Sequence, residues 1–191
     1  MINLCPLPTS PAVDINELSL IRLTDGYVIK PFDCDDNDLN DFLFNSANDF
    51  LSELLAVTHL IEDNSTGETI AFFSVFNDKV SLKDTDNNKW NKLRKKLPSR
   101  KRLTSYPAVK LGRLGVSKQY KKKGFGKMIL DYLKIHFIQN NKTGCRFLTV
   151  DAYGESLVFY EKQGFSYLTD TDIGKDTRQM YFDLYQISTD Y

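Results

Sequence analysis

Cysteine, histidine and net charge are all in short supply, and each shortage closes off a class of protein. Cys5, Cys34 and Cys145 cannot all pair among themselves and lack the spacing of a metal site. With only His59 and His136 to join them, no metal centre is read, and the thiols are expected to stay reduced as in a cytosolic protein. Lysine plus arginine equals aspartate plus glutamate, 25 against 25, so no global field draws the chain to nucleic acid or to an acidic membrane. Cancellation over a whole chain still leaves room for a local basic patch. No apolar run approaches the length needed to span a bilayer. The N-terminal MINLCPLPTSP has neither the basic region nor the apolar stretch of a secretory signal. A cytoplasmic protein without a membrane partner is expected. Internal repeats, long linkers and low-complexity tracts are also missing.

What is present reads as one α/β domain over residues 1–191, large enough to bury about 70% of its unfolded-chain surface. Pro6, Pro8 and Pro11 make residues 1–16 an irregular extension. Leu18 to Leu23 reads as a strand, Asp25-Gly26 as a turn, and Tyr27 to Lys30 as a returning extended piece. Leu39, Phe42, Leu43, Ala47, Phe50, Leu51 and Leu54 recur at helical spacing after Asp35 and Asp36, either of which can cap. One or two helices across 36–55 follow from that spacing. Val57 to Glu62 and Glu68 to Phe76 are strands joined through Asn64-Ser65-Thr66-Gly67. Ala108 to Val116 is a strand that leads through a glycine turn into a helix from Gly124 to about Asn140. Arg146 to Ala152 suits a central strand, and Ser156 to Gln163 a short helix stopped by Gly164. Met180, Phe182 and Leu184 alternate with Tyr181, Asp183 and Tyr185 in a last strand. The fold expected is a single mixed sheet flanked by helices.

The most informative segment is Leu111 to Leu130. A strand ends near Val116, and Gly124-Phe125-Gly126 then opens a helix beside Lys121, Lys122, Lys123 and Lys127. Glycine at these positions lets backbone N–H groups converge on one point. The helix N-terminus adds unpaired donors and partial positive charge, a combination that suits a pyrophosphate. A GxG turn alone is weak evidence. Two rival phosphate motifs are excluded: no GxxxxGK followed by Ser or Thr is present, and Ile129 stands where a dinucleotide fingerprint needs glycine or alanine.

Strand, basic turn and GxG helix, followed by TVDAYGESLVFYEKQGF at 149–165, resemble the GNAT family of N-acetyltransferases. The likeness runs over most of the chain from Phe32 and is strongest over 107–165. It implies a GNAT fold with a splayed strand pair at an acetyl-CoA site, the pyrophosphate being held by Lys121, Lys122, Lys123, Gly124, Phe125, Gly126 and Lys127. Leu114, Gly115 and Val116 would present main-chain groups to the pantetheine arm. The Leu114 amide is thereby assigned to polarise the thioester carbonyl. Tyr160, in a close match to the family's FYEKxGF, would donate a proton to the departing thiolate. Three departures stand out: Lys121 replaces the usual Gln or Arg, Tyr153 an Asn, and Ser156 a small residue. No general base is named among Asp151, Glu155 and Glu161.

Residues 89–102, KWNKLRKKLPSRKR, contain no acidic residue, and Trp90, Leu93 and Leu97 form one helical stripe. By composition this is a solvated amphipathic helix anchored by its tryptophan. The rival reading is an RNA-phosphate face of Lys89, Lys92, Arg94, Lys95, Lys96, Arg100, Lys101 and Arg102. FDCDDNDLNDFLFNSA, LPSRKRLTSYPAVKLGRLGV and RQMYFDL are similar to a toxin branch of the family. Members of that branch acetylate the α-amino group of aminoacyl-tRNA and are held inactive by a small antitoxin. Homodimers are common among relatives. Two alternatives stay open: an acetyltransferase of small-molecule or protein amines, and a non-catalytic coenzyme A-binding module.

Overall fold

The computed structural model describes residues 15–97, 103–139 and 143–190. Seven strands form a mixed sheet in the order β1-β2-β3-β4-β5-β7-β6. They are β1 (Leu18–Arg22), β2 (Val57–Asp63), β3 (Glu68–Ser81), β4 (Ser105–Val116), β5 (Phe147–Tyr153), β6 (Ser166–Tyr167) and β7 (Thr177–Asp183). The helices are α1 (Asn37–Asp41), α2 (Ala47–Ser52), α3 (Asn87–Arg94), α4 (Phe125–Ile138) and α5 (Leu157–Lys162). The mixed sheet with flanking helices is the architecture expected from the sequence. No helix among the described residues is long and apolar enough to cross a membrane. Contacts divide the chain into two compact units, one running through Phe76 and again over Gly112–Leu133, the other over Asn77–Leu111 and from Lys134 onward.

In the first unit β1, β2 and the start of β3 form an antiparallel meander, with Leu18 opposite Asp63 and Val57 opposite Val75. The β2–β3 turn closes because the Asp63 carboxylate accepts from the Ser65 amide at 2.8 Å and the Ser65 hydroxyl at 2.6 Å. Asp36 caps α1 by accepting from the Leu39 amide at 3.1 Å. Between α1 and α2 the helix widens into a π turn over Phe42–Ser46, closed by the Ala47 amide on the Phe42 carbonyl. A wide turn rotates the next residues relative to regular helix, so Phe42, Leu43 and Ala47 all face inward. They join Leu23, Phe32, Cys34, Leu60 and Phe72 in the core. Tyr27 to Lys30, expected as an extended piece, belongs to no strand.

In the second unit α3 covers a sheet face through Trp90, Leu93 and Leu97, which pack with Val80, Tyr106, Ala108, Phe147 and Leu168. The parallel β4–β5 ladder runs from Ala108↔Phe147 to Leu111↔Val150. Antiparallel pairing of β5 with β7 sets Leu148 opposite Phe182 and Val150 opposite Met180. Two details depart from the sequence expectation. Leu184 lies past the end of β7, in a 3₁₀ segment. Asp183 does not alternate outward; it is buried because Arg146 meets both its oxygens, at 2.7 and 3.0 Å. A paired carboxylate can be buried where a lone one cannot. The short strand β6 has no counterpart in the sequence reading.

Gly115 on β4 has a steric role. A Cβ there would lie 2.5 Å from the Phe72 ring and 3.2 Å from the Phe32 ring, which themselves meet edge-on at 5.4 Å. Overpacking of this kind costs about 1–3 kcal/mol. Gly115→Ala is therefore expected to lower the unfolding free energy by that amount, read as a lower urea midpoint. Gly154→Ala, whose Cβ would meet nothing within 4 Å, should leave it unchanged.

Candidate active site

Two constellations carry chemistry, one in each unit. In the first, β4 ends where the Ser117 amide donates to the Ile70 carbonyl and the Lys118 amide to the Asp33 carbonyl, both at 2.8 Å. A single 3₁₀ turn follows, Lys118–Tyr120, closed by buried Tyr120 packing edge-on against Phe125 at 5.8 Å. The backbone then enters the left-handed region twice, at Lys122 (φ 62°) and Gly124 (φ 90°). Such alternation turns successive N–H groups to one side and makes an anion-binding concavity. The first α4 amide to reach a carbonyl four residues back is that of Met128, on Gly124 at 3.0 Å. The amides of Phe125, Gly126 and Lys127 precede it and have no such partner, the usual state of a helix start. A Cβ on Gly124 would meet nothing within 4 Å, so glycine is needed there for its φ rather than for room.

The lysines of this turn differ in what they can do. Lys118 is tied to Asp33 at 2.8 Å, Lys121 to Asp35 at 3.6 Å, and Lys127 to Asp131. The Lys118 hydrogen bond, then those from the Asp35 amide and Asn40, hold the Asp33 carboxyl well below the usual carboxylate range. Among the described residues Lys122 and Lys123 have no carboxylate partner, and Lys123 lies 5.1 Å over the Tyr120 ring. Charge on offer to an anion is thus concentrated on Lys122 and Lys123 and on the backbone. The ion-pairing roles of Asp33 and Asp35 escaped the sequence reading, which took Asp35 only as a possible helix cap, although three aspartates in Phe32-Asp33-Cys34-Asp35-Asp36 could have suggested a counter-charge. Leu114 and Val116 are half-buried on β4 and Gly115 is buried, all beyond Leu111, where the pairing with β5 stops.

The second constellation is the end of α5. Phe165 N–H donates to the Tyr160 carbonyl at 3.1 Å and Gly164 N–H to the Glu161 carbonyl at 2.9 Å. With Gly164 at φ 84°, this is a Schellman cap in which Tyr160 is the third residue from the helix end. The apolar contact that goes with such a cap is Tyr160 on Phe165, with ring centroids 5.4 Å apart. The FYEKQGF string therefore has a mechanical meaning: tyrosine, glycine and phenylalanine are the three positions the cap requires. Tyr160 is 6% exposed, and burial pushes its phenol from 10 up to about 12. That keeps the phenol protonated at neutral pH, and among the described residues no side chain pairs with its hydroxyl, so the O–H is available as a hydrogen-bond donor.

The basic helix is only partly available. Lys89 is engaged with Asp170 and with Asp86, the latter at 3.7 Å. Lys92, Arg94, Lys95 and Lys96 are exposed. Arg100, Lys101 and Arg102 lie outside the described residues, as does Cys5. Among the described residues no group of three or more His, Cys, Asp or Glu side chains is placed to hold a metal ion.

Residues 93–167 match the family model of the acetyltransferase (GNAT) domain. No curated protein sequence matches the chain. Among solved structures, a bacterial toxin superposes with a TM-score of 0.75 at 18% identity, over 91% of this chain and 94% of that one. A Tyr→Phe variant of KacT gives 0.75 at 20% identity, over 92% and 99%. AtaT complexed with acetyl-methionyl-tRNAfMet gives 0.73 at 20% identity, over 90% and 98%. At these identities the likeness establishes the fold.

A side chain at Gly124 costs about 1–2 kcal/mol in backbone conformation alone. In Gly124→Ala, added pyrophosphate should raise the melting temperature clearly less than it does in wild type. Equal protection of the two would remove the turn from the anion site.

Proposed function

We propose that this chain, which carries an acetyltransferase (GNAT) domain, transfers acetyl from acetyl-CoA to the α-amino group of an aminoacyl-tRNA by direct attack. The observation that carries the chemistry is the capped, buried, protonated Tyr160. Acetyl-CoA supplies the activated thioester. The amides of Phe125, Gly126 and Lys127, with Lys122 and Lys123, would hold its pyrophosphate, and Lys121 would add charge shared with Asp35. Gly115 and Val116 would pair with the pantetheine arm through their main chain. The Leu114 amide would stabilise negative charge on the carbonyl oxygen as the amine attacks. Tyr160 would donate toward the sulfur as the carbon–sulfur bond breaks. An α-amino group has a pKa of about 7.7–8.0, so a useful fraction is neutral at pH 7 without a dedicated base.

Two features support the tRNA acceptor. AtaT, which shares the fold, is known in complex with acetyl-methionyl-tRNAfMet. Exposed Lys92, Arg94, Lys95 and Lys96 crowd one end of α3 with no acidic residue among them, as a phosphate-binding surface requires. AtaT is also known bound to the C-terminus of the antitoxin AtaR, and a small antitoxin partner belongs to this proposal. So do a cytoplasmic location and a homodimer.

The test is transfer of labelled acetyl from acetyl-CoA to total aminoacyl-tRNA. Tyr160→Phe should lower the rate by about 10²–10⁴-fold, the range expected for a lost proton donor, with acetyl-CoA binding retained. Label that appears equally with Tyr160→Phe would end the catalytic assignment. Label on small amines and not on charged tRNA would move the acceptor to the small-molecule class. Reversing Lys92, Lys95 and Lys96 to glutamate should raise KM for tRNA at least tenfold without weakening acetyl-CoA. Parallel loss of both would instead report damaged folding.

A further inference from the structure

We infer that Lys134, on α4, is a positioning residue for Tyr160; the inference deepens the acetyl-transfer reading and rests on it. Lys134 is a lysine at the edge of the apolar face of α4, next to Leu130, Leu133 and Phe137 and three residues from Asp131, and only 8% of it is exposed. A buried ammonium needs compensation. Part of it comes from the Gln163 carbonyl, which accepts from Lys134 Nζ at 2.8 Å. More comes from the faces of two rings, Phe182 at 4.3 Å and Phe165 at 5.9 Å.

Two of these three partners, Gln163 and Phe165, belong to the cap that holds the tyrosine, while Phe182 lies on β7. Gln163 is the cap residue of α5, and its own N–H donates to the Tyr160 carbonyl at 3.0 Å. Phe165 is the ring on which Tyr160 packs. With six residues, α5 is far below the length at which a helix holds itself in water. Its last turn is therefore fixed by tertiary contacts. A cation at the C-terminal end also meets the negative pole of the helix. Lys134 thus anchors the cap at its carbonyl and at its phenylalanine, and the Tyr160 ring inherits that fixed position. A lysine confined by packing is suited to this, since the four-carbon stem fills the apolar layer while the ammonium reaches the carbonyl.

The test compares Lys134→Met, which keeps the stem and loses the ammonium, with Gln163→Ala, which keeps the accepting backbone carbonyl. Two readouts are used on the full chain: steady-state transfer to total aminoacyl-tRNA, and titration of Tyr160 by NMR of ¹³C-labelled tyrosine, assigned with Tyr160→Phe. Lys134→Met should lower kcat at least tenfold with the Kd for acetyl-CoA within twofold of wild type. Its Tyr160 ionisation should move down from about 12 toward 10 as the ring loosens and meets water. Gln163→Ala should change neither, and Lys134→Arg should recover part of both. A folded Lys134→Met protein with unchanged kcat and unchanged Tyr160 titration overturns the inference. If Lys134→Met does not fold, a folded Lys134→Arg protein that retains none of the wild-type elevation of the Tyr160 titration overturns it. The two readings fail separately. Transfer indifferent to Tyr160→Phe sinks the tyrosine's catalytic role, whereas the titration still reports whether Lys134 holds it.

Discussion

The hydrogen bond from Phe165 N–H to the Tyr160 carbonyl, made possible by Gly164 at φ 84°, is the constraint on which the placement of Tyr160, the proposed donor, depends. It ends α5 and brings Phe165 back beneath Tyr160. It also turns the chain into β6, which pairs with β7 through Ser166↔Tyr181. A side chain at position 164 would meet two obstacles. The positive φ disfavours any L-residue, and a Cβ would lie 3.1 Å from the Phe182 ring. Helix end, ring contact and strand entry are thus one event in the backbone. A six-residue helix gains its order from that event rather than from its own propensity.

Legibility from sequence followed how local each determinant is. Gly164 as a helix stop, the Trp90–Leu93–Leu97 stripe and the glycine turn at 124–126 were all readable, because cap, periodicity and turn are fixed by neighbours in the chain. What escaped depends on partners far away in sequence. Asp183 looked like an outward residue by alternation until Arg146 was seen to pair with it across 37 positions. Lys89 looked like part of a basic face until Asp170 engaged it from 81 positions away. The π turn at Phe42–Ser46 escaped because its signal is a one-residue slip in an apolar pattern that fits ordinary helix nearly as well. Lys134 left a faint signal, a single lysine on an apolar stripe, which composition alone reads as a snorkelling surface residue. Of the acceptor and its partners only the resemblance spoke.

Zero net charge turns out to be a poor summary of the electrostatics. The chain pairs cations and anions selectively around the glycine turn, with Asp33 taking Lys118, Asp35 drawing Lys121 and Asp131 taking Lys127. Exposed pairs of this kind are worth little in stability, about 0–1 kcal/mol each. Their effect is on distribution. Among the described residues they leave without a carboxylate partner Lys122, itself at positive φ, and Lys123, which lies between it and Gly124. Four more basic groups stay exposed on and just past α3, while Lys89 in the same helix is used to fasten it. A balanced total is compatible with two local fields.

The height of the Tyr160 pKa bears on what the hydroxyl can do. In the proposed transfer a phenol raised to about 12 would be a weaker acid than the departing thiol, so it would not hand over its proton outright. Desolvation of the thiolate would narrow that difference. The attacking amine changes that balance, because once bonded to the carbonyl carbon it becomes a far stronger acid than the phenol. In the proposed transfer the lasting proton for the thiolate would then originate on nitrogen, and Tyr160 would serve by donating a short-lived hydrogen bond as charge builds on sulfur. Burial favours this role, since it keeps the phenol neutral and pointed while denying it a competing water. What the fold must supply is a fixed oxygen rather than an acidic one, and fixing it is what the cap at Gly164 does.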